Sequence, residues 1–199
     1  MSSHVPPPYY NDLTAALGFA MGQMTAAVAD RRSPFHTPCV ATIGLDGAPA
    51  LRTVVLRGFE SGSRTLRFHT DVRSRKWTEL RAEARVSVHG YDAGRKLQLR
   101  FRGAADLHSQ DAIAEAAWAA SRAMSRMCYA QAVAPGAAVE TPDDAARDPL
   151  LDDAAFANFA VVVVRFTDME WLYLAARGHR RAAFAWDEAG ALQARWLGP

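Results

Sequence analysis

Charge of one sign is the first thing this sequence lacks. Its 23 lysines and arginines stand against 21 aspartates and glutamates, a formal net charge of +2. That is too little to mark a nucleic-acid or membrane surface, and it disfavours an RNA-binding barrel, so any basic chemistry must be local. Cysteine is scarce as well. Cys39 and Cys128 stand in unlike settings without a C-x-x-C or a histidine-rich segment, so neither a zinc site nor a disulfide is expected, and both read as buried thiols. No apolar run approaches the ~18 residues of a membrane span. Residues 1–10 carry three prolines and lack the charged-then-apolar order of a secretory signal, which reads as a cytoplasmic protein. The G-x-G-x-x-G fingerprint and the P-loop are absent too, so a bound phosphate would have to be held by side chains.

Half of the 199 residues are apolar, enough for one sizeable core in a single domain over 1–199, or in one protomer of a dimer. Residues 11–30 place Leu13, Leu17, Met21, Met24 and Val28 at helical spacing, with Asn11 or Asp12 as N-cap. From Thr37 the pattern turns β-rich: TPCVATI, an Asp46-Gly47 turn, then PALRTVVLRGF as the second arm of a hairpin. A strand over 65–70 leads to a helix from Ser74 to about Ala84. Strands resume over 85–91 and 96–107, where Leu97, Leu99 and Phe101 alternate with Gln98, Arg100 and Arg102. Residues 109–130 read as a helix and 131–153 as a long surface loop. Four short strands follow, over 159–166, 170–175, 181–186 and 192–197. About eight strands with helices inserted, and no regular strand–helix alternation, predict a mainly β, antiparallel barrel of α+β type.

Several positions could carry chemistry. Arg52 and Arg57 bracket Thr53-Val54-Val55-Leu56, and a regular pleat would put the two arginines on opposite faces. Arg75 and Lys76 stand at a predicted helix start, where they disfavour the dipole unless an anion compensates them. Gln98 faces the polar side of its strand, with an amide suited to the edge of a planar ring. Trp171, Arg177, His179, Arg180 and Arg181 combine an indole with potential cations inside eleven residues.

The order R-T-V-V-L-R, F-H-T, S-R-K, L-Q-L-R-F-R-G, E-W and R-G-H-R-R, over about residues 35–199, resembles the pyridoxamine 5'-phosphate oxidase family. The resemblance implies an antiparallel split β-barrel with inserted and flanking helices, and a homodimer with flavin mononucleotide (FMN) at its interface. It further implies that Arg52, Thr53, Val54, Val55, Leu56 and Arg57 run beside the flavin, and that His69 and Thr70 lie near its phosphate end. Arg75 and Lys76 would hold that phosphate, Gln98 would contact the ring, and Trp171 and Arg181 would come from the other subunit. Arg177 and His179 would face the substrate; Arg57, Trp118, Arg122 and Ser125 would bind it. The chain departs from the family on the substrate side. Arg57 replaces a lysine, Trp118 falls near a tyrosine, and Gly178-His179-Arg180-Arg181 replaces L-H-D-R.

The implied activity is an FMN-dependent oxidoreductase acting on a small molecule, with weak or absent oxidation of pyridoxine 5'-phosphate because Arg57 replaces a lysine and Trp118 lacks the hydroxyl. The competing class is a non-catalytic flavin- or haem-binding barrel, in which His36, His69 or His179 would be the haem-ligand candidates.

Overall fold

The computed structural model describes residues 6–146, 152–176 and 178–199. Asp12 caps the first helix, accepting the Ala15 amide at 2.9 Å, and α1 runs Leu13–Ala29. Its fully buried face is Ala16, Ala20, Met24 and Ala27, with Leu13, Leu17, Met21 and Val28 only partly covered. Small side chains there let the helix lie close against the sheet.

The strands are β1 (Cys39–Ile43), β2 (Pro49–Thr53), β3 (Leu56–Glu60), β4 (Thr65–Asp71), β5 (Arg85–Asp92), β6 (Leu97–His108), β7 (Phe159–Tyr173), β8 (Arg180–Trp186) and β9 (Leu192–Leu197). All pairings are antiparallel, in the order β2-β1-β5-β6-β7-β4-β3, with β8 on β7 and β9 on β8. β2 and β3 thus form opposite edges of the path, although only Val54 and Val55 separate them in sequence. The two edges meet there without a shared ladder, which makes the barrel a split one. The 49–59 segment is therefore two strands where the pattern predicts one.

Helix α2 (Arg75–Ala82) follows β4. The alanine-rich 109–130 segment is broken into α3 (Ala112–Ala119), α4 (Ala123–Arg126) and a 3-10 turn at Met127–Tyr129. The expected loop 131–153 contains a 3-10 turn at Pro142–Ala146, and its end already belongs to α5 (Asp152–Asn158). A second small core, Ala114, Ala117, Trp118, Ala130, Ala155, Phe159 and Val161, packs α3 and α5 onto the outside of β7. The cysteines are not core thiols. Cys39 is half-buried at an outward position of β1, and Cys128 is exposed. Among the described residues no helix is long and apolar enough to cross a membrane.

The two strands expected over 159–175 are one. Val162, Val164 and Phe166 point into the main core, and so do Met169, Trp171 and Tyr173. Alternation fails between 166 and 169 because the β6–β7 register shifts there: Arg102 faces Asp168 and Gly103 faces Phe166, leaving Thr167 as the extra residue of a bulge. A Cβ on Gly103 would lie 2.0 Å from the Arg165 carbonyl oxygen and 2.7 Å from the Phe166 Cα. Backbone cannot yield as a side chain can. Gly103→Ala should therefore cost about 3 kcal/mol or more and lower the melting temperature by roughly 6–12 °C. Gly22→Ala is the control: it sits in α1 with nothing within 4 Å of its added Cβ and should be neutral or stabilising by about 1 kcal/mol.

Candidate functional site

Three groups of polar side chains emerge from this fold. The first surrounds the start of α2. Ser74 is its N-cap by backbone geometry, yet its hydroxyl makes no capping bond; it donates to the Asp71 carbonyl at 2.6 Å and lies 3.0 Å from the Thr70 hydroxyl. Lys76 Nζ donates to the same Thr70 hydroxyl at 3.1 Å. Arg73 clasps Asp71 at 2.7 Å and fixes the turn. Beneath lies Glu79, fully buried. It accepts from Thr42 at 2.6 Å and from Arg52 at 2.6 Å, and pairs with Arg75 at 3.1 Å. Arg52 also donates to Thr42.

Burial pushes the Glu79 carboxyl up, but the hydrogen bonds from Thr42 and Arg52 and the charges of Arg52 and Arg75 outweigh it and hold the group below its ordinary value. Burial, and then the neighbouring Arg52, push Lys76 down. Arg52, Thr70, Arg75 and Lys76 form one cradle, with cations converging on helix amides that no side chain caps. Such a cradle fits a phosphate.

The second group is a cleft of about 360 Å³ between α1, β3, β4 and the α3–α4 turn. Arg57, Arg67, His69, Arg122 and Ser125 line it, with Arg31 at its rim. Because the strand breaks at Val54-Val55, Arg52 and Arg57 are not two faces of one pleat; they serve different sites. Val54 and Leu56 are core residues, Val55 is half-buried, and Thr53 faces outward at the end of β2. His69 and Thr70 also part company, since successive strand residues face opposite ways. The His69 imidazole packs edge-on against Phe159 at 4.9 Å. Burial and the charges of Arg57 and Arg67 push its pKa down to about 4.

The third group lies on the outer face of β6, β7 and β8. Gln98, Leu172 and Arg181 stand in register across the three strands. Arg181 is held by Glu170 at 2.9 Å, which also meets Arg100 at 3.6 Å.

Two expected site residues are elsewhere. Trp171 is fully buried in the chain's own core, stacked on Tyr173 and edge-on to Tyr9 and Trp196. Trp118 turns into the second core beside Tyr129, Phe156 and Phe159, and the Arg126 guanidinium lies over it. It does not line the cleft. His179 is exposed, and Arg177 lies outside the described residues. The segment carrying them is tied to the N-terminal turn: the Tyr10 hydroxyl donates to the Gly178 carbonyl at 2.7 Å, and Arg180 stacks 4.3 Å over the Tyr10 ring while donating to Asn11 at 3.0 Å. Gly178 has φ +121°, a conformation open to glycine.

The residues that sequence reasoning missed are Glu79, Thr42 and Arg67. Glu79 was legible as the i+4 partner of Arg75, and Arg67 as an outward position two before His69. A larger depression of about 770 Å³, on the outer sheet face between β1 and β7, contains none of the expected residues, and its charges are paired as Arg102–Asp168, Arg165–Asp106 and Arg85–Glu83.

Residues 21–109 match the family model described as the pyridoxamine 5'-phosphate oxidase FMN-binding domain. Over 97 residues the chain is 38% identical to pyridoxine/pyridoxamine 5'-phosphate oxidase 2 of Arabidopsis thaliana, covering 45% of this chain and 49% of that protein. The matched part is thus about half of that relative's length. PhzG from Burkholderia lata, solved with tetrahydrophenazine-1-carboxylic acid, is similar in fold over 100% of both chains, with a TM-score of 0.75 and 22% identity. A pyridoxamine 5'-phosphate oxidase-related, FMN-binding protein from Nostoc punctiforme is similar over 98% of both chains, with a TM-score of 0.71 and 21% identity. The matched segment contains the cradle, Arg57, His69 and Gln98; Trp118, Arg122, Ser125 and the 171–181 stretch lie beyond it.

Glu79 gives the cradle a pH signature. Its lowered pKa makes a stabilisation that is complete above the ordinary glutamate value of about 4.3 and is lost as pH falls through the folded value. Glu79→Gln should lose up to about 3 kcal/mol at pH 7, because the half-buried Arg52 loses its charged partner. Chemical denaturation between pH 3 and 7 should then show a flatter acid limb for the variant than for the native chain.

Proposed function

We propose, from the match of residues 21–109 to the FMN-binding domain model of pyridoxamine 5'-phosphate oxidase, that the protein is an FMN-dependent oxidoreductase acting on a small anionic molecule. The observation that carries this reading is the cradle at the start of α2, which lies wholly within the matched segment. Arg75 and Lys76 would hold the FMN phosphate, Arg52 would add its charge from below, and the Thr70 hydroxyl would share the Lys76 ammonium. The stretch 52–57 would run along the flavin, and Gln98 would offer its amide to the ring edge. When bound, flavin supplies the two-electron chemistry that amino-acid side chains lack. The chain's own residues bind and orient. Arg57, Arg122 and Ser125 would fix the anionic end of the substrate in the cleft, and Arg177 and His179 would position its reacting end.

The proposed assembly is a homodimer. The outward face of β2, β1, β5 and β6 exposes Leu51 and Tyr91, at 66% and 42%, beside half-buried Cys39, Ala41 and Ile43. An apolar stretch of this kind on a sheet face suits a two-fold contact. Arg181 and Gln98 lie on the same side of the sheet, where a partner could complete the flavin site. Haem is less well served, because His36 is buried and the His69 Nε2 is buried as well.

A visible spectrum of the purified protein distinguishes flavin, haem and no chromophore. Changing Arg75 and Lys76 together to alanine should weaken FMN at least roughly tenfold and riboflavin much less; the exposed Arg75 contributes the smaller share. Equal losses for both ligands would move the phosphate elsewhere. Sedimentation should find a flavin-loaded dimer at micromolar concentration, and a flavin-loaded monomer would overturn the shared site.

A further inference from the structure

Arg73 fixes the turn between β4 and α2 without belonging to the cradle, and its bonds reach well beyond that turn. Its amide and Nε donate to Asp71 Oδ1 at 2.7 and 3.0 Å, and Nη2 donates to Asp71 Oδ2 at 2.7 Å. Asp71 is buried, so this pair sets the orientation of the guanidinium. Other donors leave the turn. Nη2 also donates to the Gln131 carbonyl at 3.0 Å, and Nη1 donates to the Ala132 carbonyl at 3.2 Å. A second tie runs beside it: the Val72 amide donates to the Asn158 carbonyl at 2.9 Å, and Asn158 Nδ2 donates to the Tyr129 carbonyl at 3.0 Å. On one side the turn serves the cradle, since the Ser74 amide and hydroxyl both donate to the Asp71 carbonyl, and Ser74 leads directly into Arg75 and Lys76. On the other it reaches the wall of the cleft. Back from Gln131 the chain passes through the Met127–Tyr129 turn and α4 to Ser125 and Arg122, both in the cleft lining. No residue of α4 or of that turn is fully buried, so polar ties take a large share in fixing the stretch.

We propose that Arg73 is a positioning residue that couples the cradle to the 122–132 segment, so that a phosphate held at the start of α2 also orders this wall of the cleft. The inference rests on the proposed function for the cradle's occupant, the FMN phosphate. Opening of the 129–132 stretch withdraws two acceptors from Arg73 and loosens the Asp71–Ser74 turn, whose shape the phosphate needs. Bound phosphate therefore opposes that opening, and by linkage a closed segment favours the phosphate. The opposition reaches about a hundredfold at a ligand concentration a hundred times its dissociation constant. Arginine suits the task because its planar fork addresses a carboxylate and two carbonyls at once; lysine keeps the charge and lacks the fork.

Hydrogen–deuterium exchange on the full chain, saturated with FMN or with riboflavin, tests the coupling, because riboflavin lacks only the phosphate. FMN should slow amide exchange over 122–132 at least about tenfold more than riboflavin does. Arg73→Lys should cut that difference to about twofold or less, while FMN still protects residues 74–80. A purely structural Arg73 would instead raise exchange by the same factor with either ligand, and that result would overturn the proposal. Equal protection of 122–132 by the two ligands in the native chain would overturn it as well, in a comparison that needs no variant. The two readings fail differently. Phosphate-dependent protection confined to 74–80 leaves the cradle reading intact and removes the coupling alone, whereas its absence at 74–80 removes both.

Discussion

The extra residue that β7 carries at Thr167 governs how one long strand serves two halves of the molecule. Before it, Val162, Val164 and Phe166 face the main core, while Phe159 and Val161 face outward under α3 and α5. After it the parity reverses, and Asp168, Glu170 and Leu172 face outward in their place. A strand without the bulge would turn either Met169, Trp171 and Tyr173 or the preceding valines the wrong way. The first half can therefore be apolar on both faces, and the second can carry a charged outer row beside Gln98 and Arg181. Gly103 permits this arrangement, because only hydrogen fits against the β7 backbone at that point.

Two basic groups coexist in a chain whose formal charge is only +2, and they are balanced differently. The cradle is internally compensated: Glu79 holds Arg52 and Arg75 at fixed positions and lowers the cost of gathering them. Among the described residues the cleft has no carboxylate in its lining. A preset geometry with modest excess charge suits a cofactor that stays bound, whereas an excess of unpaired guanidinium suits a ligand that comes and goes with its own charge. Net charge conceals this distinction, which depends on which carboxylate lies under which arginine.

Much of the architecture was legible along the chain. The alternation Leu97, Leu99, Phe101 against Gln98, Arg100, Arg102 placed both faces of β6, and Asp46-Gly47 marked the β1–β2 hairpin. Cradle residues were visible because Ser74-Arg75-Lys76 breaks the usual charge preference of a helix start. Elsewhere local rules were overridden. Val54 and Val55 have strong strand propensity, yet they leave both ladders in order to join two sheet edges, which no local pattern announces. The bulge at Thr167 made one strand look like two. Trp118 and Trp171 looked available as ligands of a binding site, but each is claimed by a core, since a large aromatic gains more from full burial than from a partial contact. Of the cleft, Arg57, Arg122 and Ser125 were named through the resemblance, but Arg31 and Arg67 were not, because Arg31 comes from the turn after α1 and Arg67 from β4, and only the fold brings them together.

The link at Val54 and Val55 has a mechanical meaning as well. Two residues can span no more than about 10 Å between the last residue of β2 and the first of β3, so the gap between the barrel's free edges cannot widen at that point without unzipping one of them. The valines act as a hasp. The edge residues flanking Arg52 and Arg57 are tethered within a bounded separation by this covalent link, and whatever lies along the stretch meets a tether of limited length.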